Sequence, residues 1–166
     1  MSDVRDSSSA VPMTVRGLIM DPATNSPVVI LENPGGDSFL PIWIGVCEAN
    51  SIALELEGVE TPRPMTHDLI QSLLATVGCS VDHIFIHSLD DSVFIASIQL
   101  RNTTSDTFQV DSRPSDAIAL ALRAKVDILV DSSVLERAVV TESTSEEALL
   151  SILERLRPED MGEYEM

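Results

Sequence analysis

Two stretches about fifty residues apart each bring an arginine, a proline and an aspartate to the start of an apolar run. The first is Pro62-Arg63-Pro64-Met65-Thr66-His67-Asp68, and the second is Asp111-Ser112-Arg113-Pro114-Ser115-Asp116. Proline fits the first turn of a helix, where its missing N–H has no partner to lose. Aspartate in that turn is stabilised by the positive end of the helix dipole. An arginine beside it can neutralise that carboxylate, or hold a phosphate against the exposed N–H groups. The polar chemistry of the chain is concentrated at these two helix starts.

Each candidate residue has an architectural reading beside its chemical one. Asp68 complements a helix dipole with His67 as a neighbour on the surface. Alternatively, His67 works as a general acid or base, with Asp68 or Glu48 orienting it or binding metal. Asp111 and Asp116 flank Arg113 and suit a buried salt bridge that locks a turn. They equally suit a hard cation such as Mg²⁺, which needs only one or two carboxylates plus water and phosphate. Arg63 and Arg113 would then grip the phosphate in a bidentate way. Glu48 and Glu55 lie roughly 10 Å apart along one helix face, so at most one of them is a ligand. His83 and His87 resemble a metal pair, but their surroundings favour a strand, where four residues span ~13 Å. Two histidines that far apart cannot share an ion.

The elements that position these groups follow from hydrophobic period. Residues 1 to about 10 are polar and serine-rich, which predicts a mobile tail. Met13 to Met20, Val28 to Glu32 and Phe39 to Ile44 predict a three-strand meander joined by proline- and glycine-bearing turns. From Glu48 to Glu57 the period becomes helical, with Gly58 as a stop. Thr66 is expected to cap a second helix through Val77. Val81 to Leu89 and Val93 to Arg101 predict a hairpin around Asp90-Asp91-Ser92, and Thr107 to Asp111 a short strand. The helix from Pro114 to Lys125 is rich in alanine and leucine almost all round, which predicts deep packing. A strand at Ile128 to Val130, a helix at Ser133 to Val139 and an amphipathic helix at Glu146 to Leu156 complete the order. Strands interrupted by helices in this order predict an α+β domain, with a mixed, largely antiparallel sheet and packed helices. The folded part is expected over 11–140, followed by an acidic helix and tail over 141–166. A short echo between Ser51-Ile52-Ala53-Leu54 and Ala117-Ile118-Ala119-Leu120 hints at duplication.

Composition narrows the function classes. The chain has 166 residues with 10 basic and 27 acidic side chains, a net charge of −17. Lys125 is the sole lysine, and aromatics are 4% of residues, so the core must be aliphatic. Such a surface repels polyanions and disfavours passive nucleic-acid binding, which rests on lysine and arginine. A divalent metal held by carboxylates inverts the local field and leaves phosphate chemistry open. Phosphate-loop, dinucleotide, nucleophile-elbow and zinc-protease motifs are absent. Cys47 and Cys79 have no partners at metal-ligand spacing, and no leader or membrane-length apolar run occurs. These features predict a cytoplasmic protein with reduced thiols.

The run Leu40-Pro41-Ile42-Trp43-Ile44-Gly45, followed by Glu48-Ala49 and Glu57-Gly58, resembles the bifunctional nuclease domain family. So do Pro62-Arg63-Pro64 with Thr66-His67-Asp68-Leu69, and the long run from Arg113 to Arg123. The resemblance spans about residues 13 to 140, and the C-terminal run from Pro158 to Met166 is similar to the ending of bacterial members. It implies an α+β fold, a homo-oligomer, and cleavage of RNA or DNA. The expected site for such cleavage has His67, Asp68 and Asp116 as catalytic groups, with Arg63 and Arg113 on the substrate. Glu48, Asp68 and Asp116 are the expected ligands of Mg²⁺ or Mn²⁺. The reading from another class is a non-catalytic oligomeric protein that binds a partner or small ligand, its Arg-Pro-Asp turns being architectural.

Overall fold

A computed structural model describes residues 9–36 and 38–141. The predicted helix at Glu146 to Leu156 and the first eight residues lie outside that range. Three strands come first: β1 (Ala10–Asp21), β2 (Ser26–Glu32) and β3 (Phe39–Trp43). Helices α1 (Val46–Leu56) and α2 (Thr66–Thr76) follow. A second trio, β4 (Cys79–Asp90), β5 (Val93–Asn102) and β6 (Thr107–Ser112), leads into α3 (Pro114–Ala124). Strand β7 (Asp127–Asp131) and helix α4 (Ser132–Thr141) complete the described chain.

All seven strands form one sheet in the order β3-β2-β1-β7-β4-β5-β6. Every pairing is antiparallel except β4 with β7, so the fold is α+β with a mixed, mainly antiparallel sheet, as expected. The order has a simple logic. Each trio is a meander followed by a helix, and β7 joins the first strands of the two meanders. The two halves thus repeat one topology, in parallel with the echo in the sequence. Its register differs, however, because the helix starts equate Gly45 with Arg113 as N-caps, and hence Glu48 with Asp116. The sequence echo is offset from this by two residues.

Helix α3 is the centrepiece, with eight of its eleven residues buried. Both α1 and α2 pack against it. The fully buried large side chains include Leu31, Leu40, Ile52, Ile84, Ile86, Ile118 and Leu120, an aliphatic core without an aromatic ring. Burial of each such side chain is worth roughly 1.5–3 kcal/mol relative to exposure. Pro114 opens α3 at a position where no N–H is needed, and Lys125 closes it in the left-handed region at φ 55°. One strand-level detail reaches the site. The β4–β5 hairpin turns through Asp91 and Ser92, both at positive φ (46° and 67°), which asparagine and glycine adopt more easily.

Candidate functional site

Glu48, Asp68 and Asp116 each stand in the first turn of a different helix. A carboxylate there is favoured by unpaired backbone N–H groups, so the sequence places three acids at three positive helix ends. Because α1 and α2 both lean on α3, their starts come within reach of one another.

The centre of the site is the carboxylate of Asp116. Its Oδ2 accepts from Arg113 Nε at 2.8 Å, and its Oδ1 lies 3.2 Å from His67 Nε2. Arg113 also donates from Nη1 to Glu48 Oε1 at 2.8 Å. On the far side of the imidazole, His67 Nδ1 lies 2.8 Å from Ser51 Oγ. The chain of contacts is therefore Glu48–Arg113–Asp116–His67–Ser51, drawn from α1, α2, α3 and the residue that caps α3. With Asp116 ionised, its oxygen needs a proton on Nε2, which leaves Nδ1 of a neutral ring to accept from the Ser51 hydroxyl.

Exposure divides this chain. His67 is 8% exposed with both ring nitrogens engaged, whereas the Arg113 side chain is 65% exposed. Asp116, at 33%, sits between them. The neighbouring Asp116, by hydrogen bond and charge, and then Glu48, hold the Arg113 guanidinium more firmly protonated than usual. Two carboxylates against one guanidinium leave a local excess of one negative charge.

Asp68 belongs to a different arrangement. Its Oδ2 accepts from the Met65 N–H at 2.8 Å, while its Oδ1 accepts from Arg123 Nε at 2.6 Å. Met65, not Thr66, is therefore the N-cap of α2, and Asp68 reaches back from the third helical position to satisfy it. Arg123 also donates to the carbonyls of Ala119 (2.9 Å) and Ser51 (3.1 Å), with only 4% of its side chain exposed. Burial pushes the Asp68 carboxyl up. The Met65 N–H and the Arg123 guanidinium outweigh that and hold it below the usual carboxylate range.

The predicted residues are thus brought together in part. Glu48, His67, Arg113 and Asp116 share one network, and Asp68 anchors Arg123 beside it. Arg63 makes no side-chain ion pair among the described residues, and Asp111 is exposed on β6, while the ion pairs of Arg113 go to Glu48 and Asp116. His83 lies on a strand, as expected, and pairs with Asp82 at 2.9 Å. Sequence reasoning missed Ser51 and Arg123. A guanidinium on a helix that is otherwise apolar all round must find buried acceptors, and that signal was present at Arg123.

Among the described residues, no group of three His, Cys, Asp or Glu side chains could hold a metal ion. The donor chemistry fits a more modest site. Glu48 and Asp116 are two carboxylates held together by one exposed arginine, and Mg²⁺ requires no more from a protein when water and phosphate complete its shell. Beside Glu48 and Arg113 opens a cleft of about 410 Å³. It runs from the end of β3 to the β4–β5 hairpin, so the sheet curls far enough to bring its two meanders to one mouth. No helix among the described residues is long and apolar enough to cross a membrane.

Comparison with known proteins places this geometry in context. An uncharacterized protein of Mycobacterium tuberculosis (strain ATCC 25618 / H37Rv) is 41% identical over 142 residues, 84% of each chain. Bifunctional nuclease 1 of Oryza sativa subsp. japonica is 25% identical over 115 residues, covering 68% of this chain and 35% of the plant protein. Bifunctional nuclease 2 of Arabidopsis thaliana is 26% identical over 111 residues, 66% of this chain and 34% of its own length. The model of the bifunctional nuclease domain matches residues 29–143, a span that holds every residue of the network from Glu48 to Arg123. The chain belongs to the bifunctional nuclease domain family.

Proposed function

We propose that this protein hydrolyses phosphodiester bonds of RNA or DNA at the Glu48–Arg113–Asp116 cluster. The observation that carries the reading is the exposed Arg113–Asp116 pair. It opens on a cleft at one end and is backed by buried His67 at the other, in a chain of a nuclease-domain family. The oxygen of water forms the new bond to phosphorus, the ester P–O bond breaks, and the departing oxygen takes a proton from solvent. Asp116 takes a proton from the attacking water, and Arg113 swings onto the phosphate to offset its growing charge. His67 is a positioning residue here. Its ring fixes Asp116 and leaves by hydrogen bond only through Ser51, so direct contact with substrate is not its role.

The surplus negative charge of the cluster opposes a phosphate, which is where a divalent cation enters the proposal. Glu48 and Asp116 would hold Mg²⁺ or Mn²⁺, which supplies an activated water and a counter-charge when bound. Asp68, committed to Met65 and Arg123, is left out of that set.

The test is cleavage of labelled single-stranded RNA and DNA with Mg²⁺, Mn²⁺ or EDTA, beside an Asp116→Asn preparation made identically. Metal-dependent cutting that disappears in the variant supports the site. Equal traces in both preparations sink it and favour the binding-protein reading. Thermal stabilisation by Mn²⁺ that is lost in both Glu48→Gln and Asp116→Asn tests the cation without reference to activity. Self-association is proposed on separate grounds. Met65, Leu69, Leu73 and Val77 recur every fourth residue along α2 and its ends, each at least 43% exposed, an apolar row suited to a second copy. Light scattering of the wild type and of Leu73→Glu decides that point.

A further inference from the structure

The cleft beside Arg113 has a lining that hydrolysis alone does not explain. Trp43 lies at the end of β3 and is 45% exposed, an unusual place for the sole tryptophan of a chain this poor in aromatics. Its indole Nε1 donates to Asp21 Oδ2 at 2.9 Å, and Asp21 is itself fixed by Thr24 and the Ala23 N–H. The ring is thus held in place by one edge while it forms part of the cleft wall. Phe94, half-buried at the start of β5, contributes a second aromatic surface from the other meander. Ser26, Ser92 and Ser115 also line the cleft, and Arg113 and Glu48 are the charged groups of the lining.

Each part of this lining selects a chemical feature. Fixed aromatic faces favour a flat, conjugated ring, and stacking of this kind tolerates any base. Neutral hydroxyls suit a hydrogen-bonding ring edge, where a charged partner would demand charge in return. Arg113 in the cleft lining suits a phosphate attached to that ring system. A volume of about 410 Å³ falls in the range of about 300–1,000 Å³ usual for small-ligand sites.

We infer that the Trp43–Phe94 cleft binds an unpaired nucleobase of the strand whose phosphate meets Arg113. The inference rests on the nuclease reading for its phosphate but makes a separate claim, that the protein grips a base that is not in a duplex. A base inside a helix is covered by its neighbours on both faces and cannot enter the cleft.

Because Trp43 is the sole tryptophan, its fluorescence reports the cleft directly. Nuclease-resistant phosphorothioate oligonucleotides are titrated in the presence of Mg²⁺, in single-stranded, duplex and abasic forms of equal length. Saturable quenching by the single strand is expected, with affinity about tenfold weaker for the abasic strand and for the duplex. Trp43→Ala, followed by anisotropy of a labelled oligonucleotide, should weaken binding by a similar factor, and Trp43→Phe should recover most of it. Phe94→Ala should weaken quenching without abolishing it. Equal affinity for base-bearing and abasic strands overturns the inference, even if Trp43→Ala fails to fold. Cleavage without quenching leaves the nuclease reading standing and removes the base cleft. Quenching without cleavage does the reverse.

Discussion

Helix α3 carries two arginines that do opposite things. Arg113 caps its start, is 65% exposed, and is held by two carboxylates on the edge of a cleft. Arg123 ends it, is 4% exposed, and is held by Asp68 and by two backbone carbonyls from α1 and α3. Both are paired with carboxylates, so pairing alone does not distinguish a working residue from a structural one. Solvent access does. An exposed guanidinium exchanges its partners cheaply, because water replaces what each loses. A buried one has no such substitute, and its partners are stranded without it. The difference teaches that the positive start of α3 is available for chemistry, while its end ties α1 and α2 to the core.

Removing each arginine is the most direct way to break this contrast. Arg123→Ala removes the buried guanidinium that joins Asp68 to the Ala119 and Ser51 carbonyls, and should cost about 2–3 kcal/mol in urea denaturation, less than a fully buried pair because Asp68 keeps the Met65 N–H and is partly exposed. Its nucleic-acid cleavage should fall only as far as the folded fraction falls. Arg113→Ala should change stability by less than about 1 kcal/mol, since its pairs are exposed. Cleavage should nevertheless fall by about two orders of magnitude, the usual loss for a group that meets charge in the transition state. Equal stability losses in the two variants would erase the proposed division. Arg113→Lys sharpens it further, because charge is kept while the two-pronged hold on Glu48 and Asp116 is lost.

The division was only half legible in the sequence. Proline, aspartate and arginine at a helix start are local signals, so the two turns, the helices after them and the flanking strands could be read from short windows. Partners are not local. Arg113 found Glu48 on another helix 65 residues away, and Asp68 found Arg123 at a distance of 55. Spacing alone therefore grouped Asp68 with Asp116, though their carboxylates serve different arginines. Arg63 shows the reverse effect. Its sequence context matches that of Arg113, yet the chain between Gly58 and Thr66 forms no helix start at Pro64, and α2 begins two residues later with Asp68 turned inward. Ser51 falls at helical spacing from Glu48 and Glu55, on the face of α1 away from its apolar one. Only the packing of α1 against α3 turned that face toward His67.

Asp68 offers a smaller test through pH. Its folded carboxyl sits below the ordinary value, so its contribution to stability is complete above the unfolded pKa, about 3.9, and is lost as pH falls through the folded value. Asp68→Asn should cost about 1–2 kcal/mol near neutrality, through weaker bonds to Met65 and Arg123. The gap in Tm between wild type and variant should close in acid. A gap that persists unchanged well below the carboxylate range would mean that the Asp68–Arg123 pair is not what joins α2 to α3.

Gly45 gives the finest probe of the exposed end. Its backbone, at φ −75° and ψ 161°, is open to any residue, so no conformational demand explains glycine there. Space does, because a Cβ at this position would run into the carboxylate of Glu48. That carboxylate is the far end of a flexible side chain and can swing aside without moving the helix. Gly45→Ala should therefore alter stability by no more than about 0.5 kcal/mol, while it displaces Glu48 from Arg113 and from the cleft. If the place of Glu48 matters, Gly45→Ala should reproduce the cleavage defect and lost Mn²⁺ stabilisation of Glu48→Gln, although every charged group is still present. If Gly45→Ala behaves as wild type in both measurements, Glu48 serves only to hold Arg113 at rest, and Asp116 carries the chemistry with the arginine alone.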